Sequence, residues 1–341
     1  MRAPTILVAK GAGDPNALLR SLSRYDVYEF ASLDELGGAV RRAELIVIRS
    51  GVQLDAARLA DMPKLRHVIR AGSGLDGIDT ALLAARGIGL HRYPEASAPA
   101  VAEWCLAALL ALARRIPLGA NGLALGGHLK TACLGTPVVS MRVAVWGAGP
   151  IGRAAAAVTE RFGAEVAFAA RPSITDGLPQ MPASELPGWA DAHIVALPAT
   201  AENTGAFGTG FLRSASGRRP LLVVVGRLAT IDPAACLEAL ADGRLSGLAV
   251  DPIEATDAHL FRAGSAPLNL LATPRIGAQR ADVRAALDAW VTQMALTVRF
   301  GPTFPARVGP TRGAHGSVRG LFRLELAPPS GEVWDARGRS P

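Results

Sequence analysis

Lysine is nearly missing from this chain. Only Lys10, Lys64 and Lys130 are lysines among the 36 basic residues, and arginine supplies the rest. Six arginines against three acids in residues 303–341 account for +3 of the formal charge of +7, leaving a body of scattered, solvated guanidinium groups. No basic run is interleaved with aromatics, which make up only 5% of the chain, so a nucleic-acid surface is not expected. Cysteine is scarce as well. Cys105, Cys133 and Cys236 are odd in number and far apart, which excludes a disulfide framework and a zinc-type spacing and fits reduced thiols in the cytoplasm. Half of the residues are hydrophobic, yet many are alanine, and no uncharged apolar stretch reaches the ~18 residues that a membrane span needs. The apolar run near the N-terminus is too short for the core of a signal peptide and reads as a first β-strand.

What is present is glycine in a telling place. Val143-Ala144-Val145-Trp146 leads into Gly147-Ala148-Gly149-Pro150-Ile151-Gly152, followed by an Ala-rich run over 153–162 and a second apolar run over 164–170. A strand, a G-x-G-x-x-G turn and a helix in that order hold the pyrophosphate of a dinucleotide: Gly147 for the turn, Gly149 for close approach of the phosphates, Gly152 for close packing of the helix on the sheet. The unit spans about 30 residues, the size of one βαβ crossover. Its second strand ends Phe168-Ala169-Ala170-Arg171-Pro172, without the acid that an NAD site places about 20 residues past the loop to accept from the ribose 2′-hydroxyl. Arg171 instead offers a guanidinium suited to a 2′-phosphate, so NADP(H) is favoured over NAD(H).

A length of 341 residues gives room for two domains. Strand-like runs over 6–9, 44–49, 67–70 and 89–91 alternate with helix-like runs over 15–23, 33–43 and 80–86. A long Ala/Leu-rich helix over 98–115 opens near Pro99 and stops before Pro117. Beyond the glycine loop come strands over 193–196, 221–225, 247–250 and 270–272, and a last helix over 281–300. Repeated βα alternation predicts an α/β fold of two Rossmann-like, doubly wound parallel sheets. Residues 303–341, rich in Gly, Pro and Arg, read as a mobile tail.

Further motifs stand in a recognisable order. They are Val68-Ile69-Arg70-Ala71-Gly72-Ser73-Gly74-Leu75-Asp76-Gly77-Ile78-Asp79, Ala100-Val101-Ala102-Glu103, the glycine loop, and Leu197-Pro198-Ala199-Thr200. Then follow Val225-Gly226-Arg227-Leu228-Ala229-Thr230-Ile231-Asp232, Gly247-Leu248-Ala249-Val250-Asp251 and Thr273-Pro274-Arg275-Ile276-Gly277-Ala278. From about residue 6 to residue 300 the chain resembles the D-isomer-specific 2-hydroxyacid dehydrogenases, which include phosphoglycerate dehydrogenases and glyoxylate/hydroxypyruvate reductases. The resemblance implies a discontinuous substrate domain of residues 1–98 and 285–302, a dinucleotide domain of residues 99–284, and a homodimer built partly on the helix after Pro99. It implies hydride transfer at C2 of a 2-oxo or 2-hydroxy acid. Arg227 would fork onto the substrate, the amides of Gly72, Ser73 and Gly74 would take the other face of its carboxylate, and Asp251 would accept from the nicotinamide carboxamide. Pro150, Ile151, Pro198, Gly226 and Gly277 would complete the cofactor site.

Two catalytic positions depart from the family pattern. Arg275 stands where the acid/base histidine belongs, and no shift of alignment restores a histidine. Counting from Asp251, Thr256 stands where a glutamate would orient that histidine, although Glu254 or Asp257 would reach the same place with a shift. An arginine does not release its proton near neutral pH, so Arg275 can stabilise a developing alkoxide or bind a second anionic group, but not shuttle protons. His259 and His91 are conceivable substitutes. Three readings remain: an oxidoreductase with an altered proton route, a dinucleotide-binding enzyme of non-hydride chemistry such as elimination, hydrolysis or rearrangement, and a cofactor-binding protein without turnover.

Overall fold

The computed structural model describes residues 4–14, 16–18, 25–72, 74–171, 177–262 and 266–298. Within them the chain builds two parallel sheets flanked by helices, the α/β architecture that the residue pattern predicts. The first sheet takes β1 (Thr5–Ala9), β2 (Asp26–Phe30), β3 (Ala43–Ile48), β4 (His67–Arg70) and β5 (Gly89–Arg92) in the order β2-β1-β3-β4-β5. Ile6 lies opposite Leu45 and Val8 opposite Val47. These central strands are apolar along their length because helices cover both faces of the sheet; Ile6, Leu7, Val8 and Leu45 to Ile48 are fully buried.

The second sheet takes β6 (Arg142–Trp146), β7 (Glu165–Ala169), β8 (Gln180–Met181), β9 (Ala192–Val195), β10 (Leu221–Val224), β11 (Gly247–Val250) and β12 (Leu270–Ala272). Their order is β12-β11-β10-β9-β6-β7-β8. The helix Ala98–Ala113 lays Ala102, Cys105, Leu109 and Leu112 into the core of this sheet. The run Pro94–Ala113 has the length and hydropathy of a membrane span, but those buried side chains make it a core helix. The last helix, Ala281–Thr297, sends Val291 and Ala295 the other way, into the core of the first sheet, and Val298 follows them.

Sequence and structure differ at several places, additional helices such as Ile116–Ala124 and Pro233–Ala241 among them. β2 and β8 are additional strands. The helix read over 33–43 is a 3-10 segment, Leu33–Arg42, broken at Gly37, whose φ of 47° no ordinary helix residue adopts. The tail 303–341 and most of the helix read over 15–23 lie outside the described residues. Each sheet reverses its winding once, between β1 and β3 in the first and between β6 and β9 in the second. In such folds ligands sit at these switch points, outside the carboxyl ends of the strands.

Candidate active site

β6 runs into Gly147, where φ is +107° and a Cβ would stand 2.8 Å from the Ala196 carbonyl oxygen. Gly149 then caps the helix Pro150–Arg161 in an extended conformation, and no side chain accepts from the first amides of that helix. A Cβ on Gly152 would overlap the Gly147 carbonyl oxygen, whereas the space over Gly149 is open within 4 Å. Uncapped amides facing open space over a glycine fit a pyrophosphate, so these residues suit a dinucleotide. On the neighbouring strands, Gly226 lies so close to Leu197 that no side chain could stand there, and the Pro198 carbonyl accepts from Asn203. Arg171 is exposed just past β7, and its backbone amide donates to the Gln180 side chain at 3.1 Å.

A cleft of about 490 Å³ runs from this loop to the first sheet, lined by Ile151, Gly72, Gly74, Arg227, Glu254 and Arg275 among others. Arg227 follows β10 and packs on Gly74, where a Cβ would collide with its Nη2. Its fork is already engaged: Nε and Nη2 donate to the same Asp76 oxygen at 2.8 and 2.5 Å. The hydrogen bond from Arg227 holds the Asp76 carboxyl below the usual carboxylate range, against the opposing effect of burial. A protein carboxylate thus sits where the resemblance expects the carboxylate of a substrate. Asp76 was visible in the motif Gly74-Leu75-Asp76-Gly77, but nothing local tied it to a partner 151 residues away. The Gly72 amide is also taken, by the Arg70 carbonyl at 2.9 Å, so it is not one of the free donors expected at that turn. Ser73 lies outside the described residues.

Asp251, buried at the end of β11, builds the turn after β12. Its carboxylate accepts from the Thr273 hydroxyl at 2.7 Å and from the amides of Ile276 and Gly277 at 2.8 and 3.0 Å. The same turn holds Arg275 at a φ of +56°, a left-handed conformation that an L-residue seldom adopts. The Arg275 guanidinium pairs with Glu254, while its Nε is buried without an acceptor. Of the candidates for the missing orienter, Glu254 therefore reaches position 275. Thr256 does not: it is exposed and faces its neighbour Asp257 at 3.4 Å.

Neither substitute histidine lines the cleft. His259 is exposed, with Nδ1 2.8 Å from the Thr256 carbonyl oxygen. His91 stacks near His67 on adjacent strands, and burial, aided by His67, pushes its pKa down to about 4. Arg70, only 5% exposed, donates to the Ala71 carbonyl and the Ser50 hydroxyl. Burial first, then the charge of Arg227, lowers its pKa to about 10. Among the described residues no group of three or more His, Cys, Asp or Glu could hold a metal ion.

The sequence profile described as the NAD binding domain of D-isomer specific 2-hydroxyacid dehydrogenases matches residues 106–277. The chain is 32% identical over 317 residues to a D-3-phosphoglycerate dehydrogenase of Mycobacterium tuberculosis, covering 89% of this chain and 58% of that protein. The homologous enzyme of Mycobacterium leprae is 33% identical over 282 residues, covering 79% of this chain and 52% of the relative. The chain thus spans a little over half the length of these curated relatives. Among solved structures it resembles an NADPH-dependent glyoxylate/hydroxypyruvate reductase of Sinorhizobium meliloti in complex with NADP and malonate, with a TM-score of 0.69, 25% identity and coverage of 85% and 92% of the two chains. A D-lactate dehydrogenase of Aquifex aeolicus complexed with NAD and lactic acid superposes with a TM-score of 0.73 at 20% identity, covering 85% and 94%, a likeness of fold.

Proposed function

The chain belongs to the D-isomer specific 2-hydroxyacid dehydrogenase family, and on that footing we propose that it is an NADP(H)-dependent oxidoreductase acting on a 2-oxo or 2-hydroxy acid, or a related anionic substrate, by a proton route without histidine. One observation carries the reading: Arg227, Arg275 and Ile151 of the dinucleotide loop line a single cleft of about 490 Å³. A bound nicotinamide would supply or accept the hydride at C2. Arg227, once a substrate carboxylate displaces Asp76, would bind that carboxylate and the carbonyl with its planar fork. Arg275, kept in place by Glu254 and by the Asp251 turn, would face the oxygen where negative charge develops. A guanidinium holds its proton at neutral pH, so the proton would come from water.

Support for NADP(H) comes from Arg171 at the end of β7, where no acid stands to take a ribose hydroxyl, and from the NADP complex of the Sinorhizobium relative. Residues 1–98 with 285–302 would form the substrate domain and 99–284 the dinucleotide domain, in line with Val291 and Ala295 packing into the first core. A cytoplasmic homodimer is part of the same proposal. Cys105 and Cys236 are buried free thiols, and exposed Ile116, Leu123 and Leu134 follow the long helix.

The test is oxidation of NADPH by the full chain with glyoxylate or hydroxypyruvate. NADPH should bind more tightly than NADH, and Arg171→Ala should remove the preference. Arg227→Ala should lower kcat/KM by about 100-fold or more, because both substrate oxygens lose a charge-assisted donor. Wild-type kcat/KM in both Arg227→Ala and Arg227→Lys would move the active site elsewhere. The occupied fork of Arg227 favours a second reading, a dinucleotide-binding member with non-hydride chemistry or none. Product without net oxidation would select the first of these, and cofactor binding without any turnover the second.

A further inference from the structure

A histidine stands in the middle of a buried strand of the second sheet. His193, fully buried in β9, lies opposite Ala144 of β6 and Leu222 of β10, where an aliphatic side chain would fill the space without a polar atom. Its Nδ1 accepts from the Trp146 indole Nε1–H at 3.2 Å, so the neutral ring carries its proton on Nε2. That second nitrogen is buried with no hydrogen-bond partner among the described residues. An unpaired polar group in a core is costly, and a native fold that keeps one calls for a reason beyond packing. Burial alone pushes the His193 pKa down to about 3, so Nδ1 remains an acceptor throughout the neutral range.

The bond joins two segments that border the glycine loop. Trp146 is the last residue of β6, directly before Gly147, and its carbonyl accepts from the Ala196 amide at 2.9 Å. A Cβ on Gly147 would stand 2.8 Å from the Ala196 carbonyl oxygen, so the glycine turn rests on the end of β9 with no room to shift toward it. The Trp146 indole meets Phe207 edge to face at a centroid distance of 5.1 Å, and Phe207 ends the loop that leaves β9 through Pro198. Phe211, in the helix Thr209–Ala215, completes the cluster, 5.0 Å from His193 and 4.7 Å from Phe207. Trp146 is only partly buried. Without an acceptor its indole N–H would turn to water in another rotamer, and Phe207 would lose the ring it packs against.

We propose that His193 is a positioning residue for the dinucleotide site, fixing the Trp146 indole and, through it, the Gly147 turn and the loop that ends at Phe207. The inference rests on the dinucleotide reading of the glycine loop, and it needs neither a hydride step nor a choice between NADP(H) and NAD(H). An aliphatic residue at position 193 would give an equally well packed sheet and an unanchored indole. The buried imidazole gives up one satisfied polar group for a single indole orientation.

The test separates geometry from stability in the full chain. His193→Leu keeps the volume and removes the acceptor, His193→Asn keeps an acceptor near the Nδ1 position in a smaller side chain, and Trp146→Phe removes the donor. Calorimetry measures NADPH and NADH binding, while circular dichroism and melting temperature report folding. The indole 1H–15N resonance of Trp146, identified by its absence from Trp146→Phe, reports the bond with no cofactor present. We expect His193→Leu to melt close to the parent and to bind both dinucleotides about 5- to 10-fold more weakly, the scale of one lost hydrogen bond. His193→Asn should melt lower, because it leaves a cavity, and yet bind like the parent. The Trp146 resonance should move in His193→Leu and stay near its parent position in His193→Asn. Trp146→Phe should match His193→Leu in affinity, and the double substitution should be no weaker than either, as for two residues that act through one contact. Affinities that follow the melting temperatures, additive losses in the double variant, or an unmoved indole resonance in His193→Leu overturn the proposal. Parent-like affinity in every variant also overturns it and leaves the dinucleotide reading intact, whereas a parent that binds neither dinucleotide removes that reading and the inference with it.

Discussion

Two turns at the carboxyl edge of the second sheet solve the same problem in different ways. The turn after β6 reverses the chain with glycines: Gly147 takes φ +107°, and Gly152 leaves no room for a side chain. The turn after β12 reverses it with Arg275 at φ +56° and depends on bonds from elsewhere, three of them to the Asp251 carboxylate on the neighbouring strand. One geometry is written in adjacent residues and the other is imposed from a distance. Local chemistry therefore predicts the glycine loop, whereas the Arg275 turn follows from tertiary contacts.

The sharpest way to break the comparison is Gly152→Ala. The added methyl would overlap a backbone carbonyl that cannot turn aside, so either the helix Pro150–Arg161 shifts or the loop opens. Overpacking of this kind costs about 1–3 kcal/mol or more. NADPH affinity should fall by about 100-fold, since the shifted amides no longer face the pyrophosphate together. Isothermal titration and melting temperature check both effects. Wild-type affinity in this variant would mean that the cofactor does not use the loop.

The same contrast explains what could be read from the chain alone. β4, β11 and β12 are short apolar runs bounded by turn residues, and their limits coincide with the residue pattern. β2 was not legible. Asp26-Val27-Tyr28-Glu29-Phe30 is an edge strand partly buried at three positions, exposed at Glu29 and buried only at Phe30, so tertiary pairing with β1, rather than hydrophobicity, makes it a strand. Gly37 was visible, but a glycine inside a helical pattern does not announce a break. In the site, Arg227 was legible and its engagement by Asp76 was not, because no spacing rule joins residues 76 and 227. Counting from Asp251 pointed to Thr256, while the chain after Pro252 curls so that Glu254 reaches Arg275. A turn that brings a carboxylate to Arg275 two positions before the counted one is invisible to counting.

A smaller change sharpens the comparison at the chemical end. Arg275→His would place an imidazole beside Glu254, and histidine tolerates the left-handed conformation better than most residues. If the missing acid is what limits the parent, reduction of glyoxylate should rise by about 10-fold or more, within the 10²- to 10⁴-fold that a general acid supplies. A single ionisation near neutrality should then appear in the pH profile of kcat and be absent from the parent. Such an ionisation in the parent, with turnover of about 10 per second, would show that another group already donates the proton.

The smallest effect expected is the most direct test of what holds the second turn. Arg275→Gly removes an ion pair whose side chains are 36% and 53% exposed, an interaction of about 0–1 kcal/mol at such a surface. It also relieves the left-handed strain, about 1–2 kcal/mol for an L-residue. Against this, a glycine adds about 0.5–1 kcal/mol of unfolded-state entropy. The three terms nearly cancel, so the stability of Arg275→Gly should stay within about 1 kcal/mol of the parent in denaturant unfolding. Arg275→Ala keeps the strain while losing the pair and should be the less stable of the two. If the turn is held by the Asp251 carboxylate, this order follows whatever the guanidinium does. A loss of more than about 3 kcal/mol in Arg275→Gly would mean that the pair with Glu254 holds the turn, since no other term in that estimate is large enough.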